Sequence, residues 1–150
     1  LKNSGKAYVF GFSYMINYKI NNNINLKSSI SFNQSKDLST KLPLRHSSPI
    51  FGQTSVNFTK RNIKMSYYIN YNGKKDISNF SPSELNKLYL YTKDGSPAWL
   101  TNNISFIYNI NYLAKINFSC ENIFDIHYRS YSSGISAPGR NFNIGLNMSF

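Results

Sequence analysis

The sequence predicts an all-β protein, namely a segment of about seven antiparallel strands from a transmembrane β-barrel. Along most of the chain, apolar and polar residues alternate, as they do on the two faces of a strand. Aromatic residues, nearly all Tyr and Phe, make up 16% of the chain, and such residues favour strands over helices. The connections between the alternating segments are short and long in turn, as in outer-membrane barrels.

The first four strands follow from this alternation. Between positions 8 and 20 every even residue is Tyr, Phe or Ile, and about 9 to 11 tilted residues suffice to cross the hydrocarbon layer. A second strand is predicted over 24–32, a weaker third around 56–58, and a fourth over 63–72. No apolar run approaches the roughly 20 residues that a membrane-spanning helix needs.

Three further strands are predicted over 100–110, 114–121 and 141–150. Asn102 and Ile107 interrupt the alternation of the first of these, whereas the last alternates throughout and ends in Phe150. Short turns are predicted at 21–23, 60–62 and 111–112, and long loops at 34–52, 73–98 and 124–140. Barrels of the outer-membrane type place short turns in the periplasm and long loops outside, so the first and last strands should both run inward.

An odd strand count that begins outside predicts an incomplete barrel. Bacterial single-chain barrels have even strand counts from about eight upward, and an open sheet leaves unsatisfied edges in lipid. The chain begins at Leu1 without a recognisable signal peptide, so we expect upstream sequence to be missing.

The long loops carry weaker patterns. Ser81, Pro82 and Glu84 have the spacing of a helix start, which predicts a short helix to about Tyr89. Trp99, with Tyr89 and Tyr91, suits either an interfacial aromatic girdle or ordinary loop packing.

The net charge of +11 leaves several classes of partner to consider. Lys27, Lys64 and Lys115 are predicted on the strand face opposite most aromatics, which argues against an interleaved nucleic-acid surface. The lysines and arginines of the loops either attract an anionic ligand or lipopolysaccharide phosphates, or only keep the loops solvated.

Neither catalysis nor a cofactor is predicted. The chain has six acidic residues, none paired at a spacing that suggests general acid–base chemistry. Its two histidines, His46 and His127, stand apart from other metal-ligating residues, and the single Cys120 excludes an internal disulfide framework.

The final third carries a family resemblance. Its motifs are Phe118-Ser119-Cys120-Glu121-Asn122-Ile123-Phe124-Asp125, then Pro138-Gly139-Arg140 before the last strand, and a terminal aromatic, Phe150. These resemble the C-terminus of TonB-dependent outer-membrane receptors. By this resemblance Asn122, Phe124, Asp125, Pro138, Gly139, Arg140 and Phe150 form a barrel-closure and assembly signature. Arg140 is a candidate partner of Asp125 or of outer-leaflet phosphate.

The resemblance implies that residues 1–150 are the C-terminal portion of a siderophore-receptor-type barrel. Such barrels have about 22 strands around a plugged lumen, and here the N-terminal plug is absent. It also implies the outer membrane of a Gram-negative type bacterium, surrounded by lipid and lipopolysaccharide, and import of a scarce nutrient such as a ferric siderophore. TonB would act through the missing N-terminal region, and the barrel assembly machinery would act on the last strand.

Candidate ligand-binding residues lie in the predicted loops. They are Arg45, His46, Lys93, Trp99, His127 and Arg129. Two alternatives to a nutrient receptor remain open, a non-transporting outer-membrane barrel or adhesin and, third, a soluble basic β-rich binding module.

Overall fold

The computed structural model describes residues 5–45 and 47–149. Four long strands come first: β1 (Ala7–Lys19), β2 (Ile24–Asp37), β3 (Phe51–Lys60) and β4 (Ile63–Asn72). A loop region follows, with β5 (Lys75–Asp76), a 3-10 turn (Ile77–Asn79), α1 (Pro82–Leu85), a second 3-10 turn (Leu88–Leu90) and β6 (Gly95–Ser96). The chain then forms β7 (Trp99–Asn109), β8 (Ala114–Glu121) and β9 (Asn141–Met148).

Seven strands form one antiparallel meander in the order β1-β2-β3-β4-β7-β8-β9. The predicted all-β, seven-strand antiparallel sheet is therefore confirmed. The two-residue strands β5 and β6 pair separately within a loop. No helix among residues 5–45 and 47–149 is long and apolar enough to cross a membrane.

The first long loop is shorter than the sequence suggested. Strand β2 continues past Phe32 to Asp37, and β3 already begins at Phe51, so the loop covers 38–50 rather than 34–52. Polar residues fill both faces of the extension, which hides its alternation. Pairing with β1, for example Lys36 opposite Tyr8, holds this segment in the sheet.

The short turns at the opposite end are closed by local hydrogen bonds. The Asn21 side-chain oxygen accepts from the backbone N–H groups of Asn23 and Ile24 at 2.8 and 2.9 Å. Asn111 does the same for Leu113 and Ala114, both at 2.8 Å. Asn is frequent in turns because its side chain can bind the backbone two residues on. Each hairpin therefore closes within its own sequence.

One face of the meander is apolar. The register aligns Phe12 with Phe32, whose ring centroids lie 5.9 Å apart. Phe142 is opposite Cys120 and lies diagonal to Phe118, with ring centroids 6.5 Å apart. Most of these side chains are exposed, and Ile144 reaches 82%. A continuous exposed apolar surface of this kind needs an apolar partner.

Asn102, which breaks the sequence pattern, lies on this apolar face. It accepts a hydrogen bond from the hydroxyl of Tyr67. The interruption is therefore a paired polar contact between neighbouring strands.

The other face is polar and internally hydrogen-bonded. Amide and hydroxyl side chains pair across neighbouring strands, including Ser13–Ser31 at 2.9 Å, Gln53–Asn70 at 2.8 Å, Asn57–Ser66 at 2.7 Å and Asn117–Asn147 at 2.8 Å. Such cross-strand pairs stabilise a sheet and suit a face in contact with water.

The predicted helix to Tyr89 is wrong in its extent. Helix α1 ends at Leu85, and the Ser81 hydroxyl accepts no capping hydrogen bond from the first turn. That hydroxyl lies 3.0 Å from the hydroxyl of Ser83. Glu84 is 1% exposed and binds distant loop residues, which draws this turn into the loop packing.

Candidate ligand-binding loops

The three long loops meet at one end of the sheet, which we call the loop end. Phe80, Tyr91 and Tyr131 form an aromatic cluster there, with centroid separations of 4.7, 5.3 and 6.0 Å. Phe80 and Tyr131 are 2% and 8% exposed. Because these rings come from the 73–98 and 122–140 loops, burial of their apolar surface joins the two loops.

Glu84 lies beside this cluster with both carboxylate oxygens occupied. The Tyr91 hydroxyl donates to Oε2 at 2.5 Å, and the Ser132 hydroxyl donates to Oε1 at 2.9 Å. Burial would raise the pKa of the Glu84 carboxyl, but these two hydrogen bonds and the nearby cations Lys87 and Arg45 lower it overall. Glu84 is therefore a charged residue that links the 73–98 loop to the 122–140 loop.

Lys75 joins the third loop to the cluster. Its Nζ donates to the Ser47 carbonyl and lies 4.3 Å from the centre of the Tyr131 ring, a cation–π contact. Burial lowers the pKa of Lys75 to about 8, although the charge of Glu84 opposes this shift. All three loops are thus connected by buried polar groups.

Asn122 organises the loop after β8. Its backbone N–H donates to Asn103 Oδ1 at 2.8 Å, and its side chain exchanges two 2.9 Å bonds with the backbone of Ile126. Asn122 has a positive φ of 49°, which Asn tolerates better than most residues. It also donates to the Pro138 carbonyl at 3.4 Å.

The other predicted closure residues meet near this point. The Arg140 backbone N–H donates to Asp125 Oδ1 at 2.7 Å, while its guanidinium Nε donates to the Ile123 carbonyl at 2.8 Å. The expected Arg140–Asp125 bridge therefore uses the backbone rather than the guanidinium. A Cβ at Gly139 would lie 2.4 Å from Asp125 Oδ1, so glycine permits this close approach. Phe124 is 65% exposed, and Phe150 lies outside the described residues.

The predicted ligand-binding residues separate into two groups. Arg45, Lys93 and His127 are exposed on the loops, and His46 lies outside the described residues. Arg129 donates to the Leu90 carbonyl and to Ser136 Oγ, both at 3.2 Å.

Trp99 packs against Tyr128 with centroids 4.3 Å apart. Tyr91 lies inside the loop cluster rather than in a girdle, and Tyr89 is 83% exposed. For Trp99 and Tyr91, the structure favours loop packing.

The sequence did not single out Tyr131, it placed Lys75 only among the basic residues of the loops, and it assigned Glu84 only to a helix start. Lys75 contacts Ser47 and Tyr131 at separations of 28 and 56 positions, and Glu84 contacts Ser132 at a separation of 48. No local sequence pattern records contacts of that separation. In the described part of the chain, no group of three or more His, Cys, Asp and Glu side chains could hold a metal ion.

Two cavities open at the loop end. One, of about 500 Å³, lies under Tyr131 on the polar face and is lined by Phe51, Trp99, Gln53 and Asn70 among others. The other, of about 540 Å³, lies between the 38–50 loop and residues 74–79. Both have the size of small-molecule sites.

Solved structures share this architecture. The copper transporter OprC aligns with a TM-score of 0.80 and 14% identity over 96% of this chain. The ferric yersiniabactin uptake receptor FyuA from Yersinia pestis aligns with 0.70 and 16% over 99%. The chain has the fold of a TonB-dependent receptor barrel. It spans about a quarter of those proteins, 24% in each case. No family model and no curated protein matches the sequence.

Proposed function

We propose that this chain forms the C-terminal part of an outer-membrane TonB-dependent receptor that imports a scarce nutrient. The observation that carries the proposal is the receptor-barrel fold over 96% of the chain, joined to a sheet with one apolar and one polar face. The loop end would face outward. TonB would act on a region outside these residues, and the barrel assembly machinery would act on β9.

The two faces of the sheet support a membrane location. Strands β4 and β7 have 10 and 11 residues, the length that crosses the hydrocarbon when tilted. In a barrel, the exposed apolar side chains would contact lipid and lipopolysaccharide acyl chains. The hydrogen-bonded amides and hydroxyls would line a wet lumen.

The loops support a receptor function. They are fixed to one another by Glu84, Lys75 and Tyr131, and a cavity with aromatic and amide walls opens beneath them on the face that would line the lumen. A rigid, concave site of this composition suits a small organic ligand.

We propose a ferric siderophore or a similar iron complex as the nutrient. FyuA is a ferric yersiniabactin uptake receptor, whereas OprC is a copper transporter, so the test must separate iron from copper. A strain lacking the intact protein should lose growth on limiting iron supplied as one siderophore, and uptake of radioactive iron from that siderophore should fall. Copper uptake should be unchanged.

Localisation provides a second, independent readout. The intact protein should fractionate with the outer membrane, require detergent for extraction and shift on gels after heating. Recovery in the soluble fraction without detergent would refute the membrane proposal. Unchanged iron uptake from every siderophore tested would refute the iron proposal while leaving the membrane location standing.

A further inference from the structure

The cavity between the 38–50 loop and residues 74–79 has a composition unlike the cavity under Tyr131. Four lysines line it, Lys36, Lys41, Lys74 and Lys75, with Asp76 as its carboxylate. None of the described residues that line it is an arginine. Lysine binds phosphate as a point charge, whereas arginine suits planar two-pronged recognition of carboxylates.

The positive charge in this cavity is largely uncompensated. Lys74 pairs with Asp76 at 2.7 Å, and this is the one ion pair found within residues 5–45 and 47–149. Lys36, Lys41 and Lys75 therefore have no carboxylate within ion-pair distance. Three cations around one concave surface attract an anion and repel one another without it.

Lys75 adds its charge from a buried position. It is 9% exposed, and its Nζ donates to the Ser47 carbonyl and lies over the Tyr131 ring. An oxyanion in the cavity would therefore accept hydrogen bonds from Lys36 and Lys41, while Lys75 attracts it at longer range.

We propose that this cavity binds a phosphate-bearing ligand. Phe32 and Lys36, on the apolar face of β2, line one side of the cavity, and Asn33 and Ser35, on the polar face, line the other. A lipid headgroup phosphate and a soluble phosphate ester can both reach this position. The site does not depend on the proposed import of an iron complex.

Two measurements on the intact protein test the site and identify the source of the phosphate. Calorimetric titration with inorganic pyrophosphate, in a zwitterionic detergent, measures the soluble ligand. Thermal unfolding in phosphatidylcholine nanodiscs, with and without phosphatidylglycerol, measures the lipid headgroup.

The test variant is Lys36→Gln with Lys41→Gln, which removes two charges without touching the buried Lys75. We expect the binding constant for pyrophosphate to fall about tenfold. In the nanodiscs, the stabilisation by phosphatidylglycerol should fall by the amount that corresponds to a binding constant about tenfold weaker. The matched control, Lys19→Gln with Lys60→Gln, removes the same charge from exposed positions outside the cavity and should change neither.

A loss confined to the pyrophosphate measurement would assign the site to a soluble ligand, and a loss confined to the nanodiscs would assign it to lipid. Equal effects of the test and control variants on both measurements would overturn the proposal, since the attraction would then be general. Absence of binding to both probes would also overturn it.

Discussion

Replacing Asn122 by alanine should loosen the loop that follows β8. The side chain makes two 2.9 Å hydrogen bonds with the backbone of Ile126, and the loss of two such bonds costs about 2 kcal/mol. Alanine at a φ of 49° adds about 1 kcal/mol of backbone strain. The local opening free energy should therefore fall by about 3 kcal/mol.

Hydrogen exchange at the Ile126 amide measures this change directly, because that N–H donates to Asn122 Oδ1. If opening limits exchange, a loss of about 3 kcal/mol accelerates exchange by roughly two orders of magnitude. Asn122→Gly removes the same hydrogen bonds but accepts the positive φ. It should therefore accelerate exchange by only about thirtyfold.

The two variants separate the hydrogen bonds from the backbone strain. Asn122→Asp keeps the acceptor for Ile126 and should have the smallest effect of the three. Equal exchange rates in the alanine and glycine variants would show that the positive φ carries no cost. Rates within about twofold of the wild type in both would refute the assigned role of the side chain.

Three further predictions use the same reasoning. Gly139→Ala forces the Asp125 carboxylate aside, so the midpoint temperature of the gel shift on heating should fall by the equivalent of about 1 kcal/mol. Gly134→Ala, where no atom lies within 4 Å of the added Cβ, should leave that midpoint unchanged. The pKa of Lys75 is about 8 in the folded protein and 10.5 in the unfolded chain. Between these pH values the unfolded chain binds more protons, so the stability of the loops against proteolysis should rise from pH 8 towards 10. Lys75→Met should flatten that profile. Asn102→Ala leaves the Tyr67 hydroxyl unpaired on the apolar face and should cost about 1 to 3 kcal/mol in urea unfolding; adding Tyr67→Phe should recover most of it.

The sheet could be predicted from sequence because its determinants are local. Alternation places β4 and β9 almost to the residue, and Asn21 and Asn111 mark turns that close within a few positions. The end of β2 was missed because residues on both of its faces are polar there. Its place in the sheet depends on pairing with β1, which is a tertiary effect.

The loop end could be predicted only in outline. Sequence patterns indicated long basic loops with aromatics, but not that Glu84 would be buried between Tyr91 and Ser132. Residues chosen for charge and exposure, such as Arg129, are partly used in packing. The lysine cavity likewise brings together residues from β2, the 38–50 loop and residues 74–79, a grouping that no single segment displays.

The contacts that join the loops have a consequence for the order of assembly. Each turn at the opposite end closes over two or three residues, so a hairpin can form it during early folding. The Lys75–Ser47 and Glu84–Ser132 contacts span 28 and 48 residues, and their closure entropy is compensated only after the intervening strands are in register. The loop end should therefore become protease-resistant last. The appearance of that resistance would mark the moment at which this part of the barrel is complete.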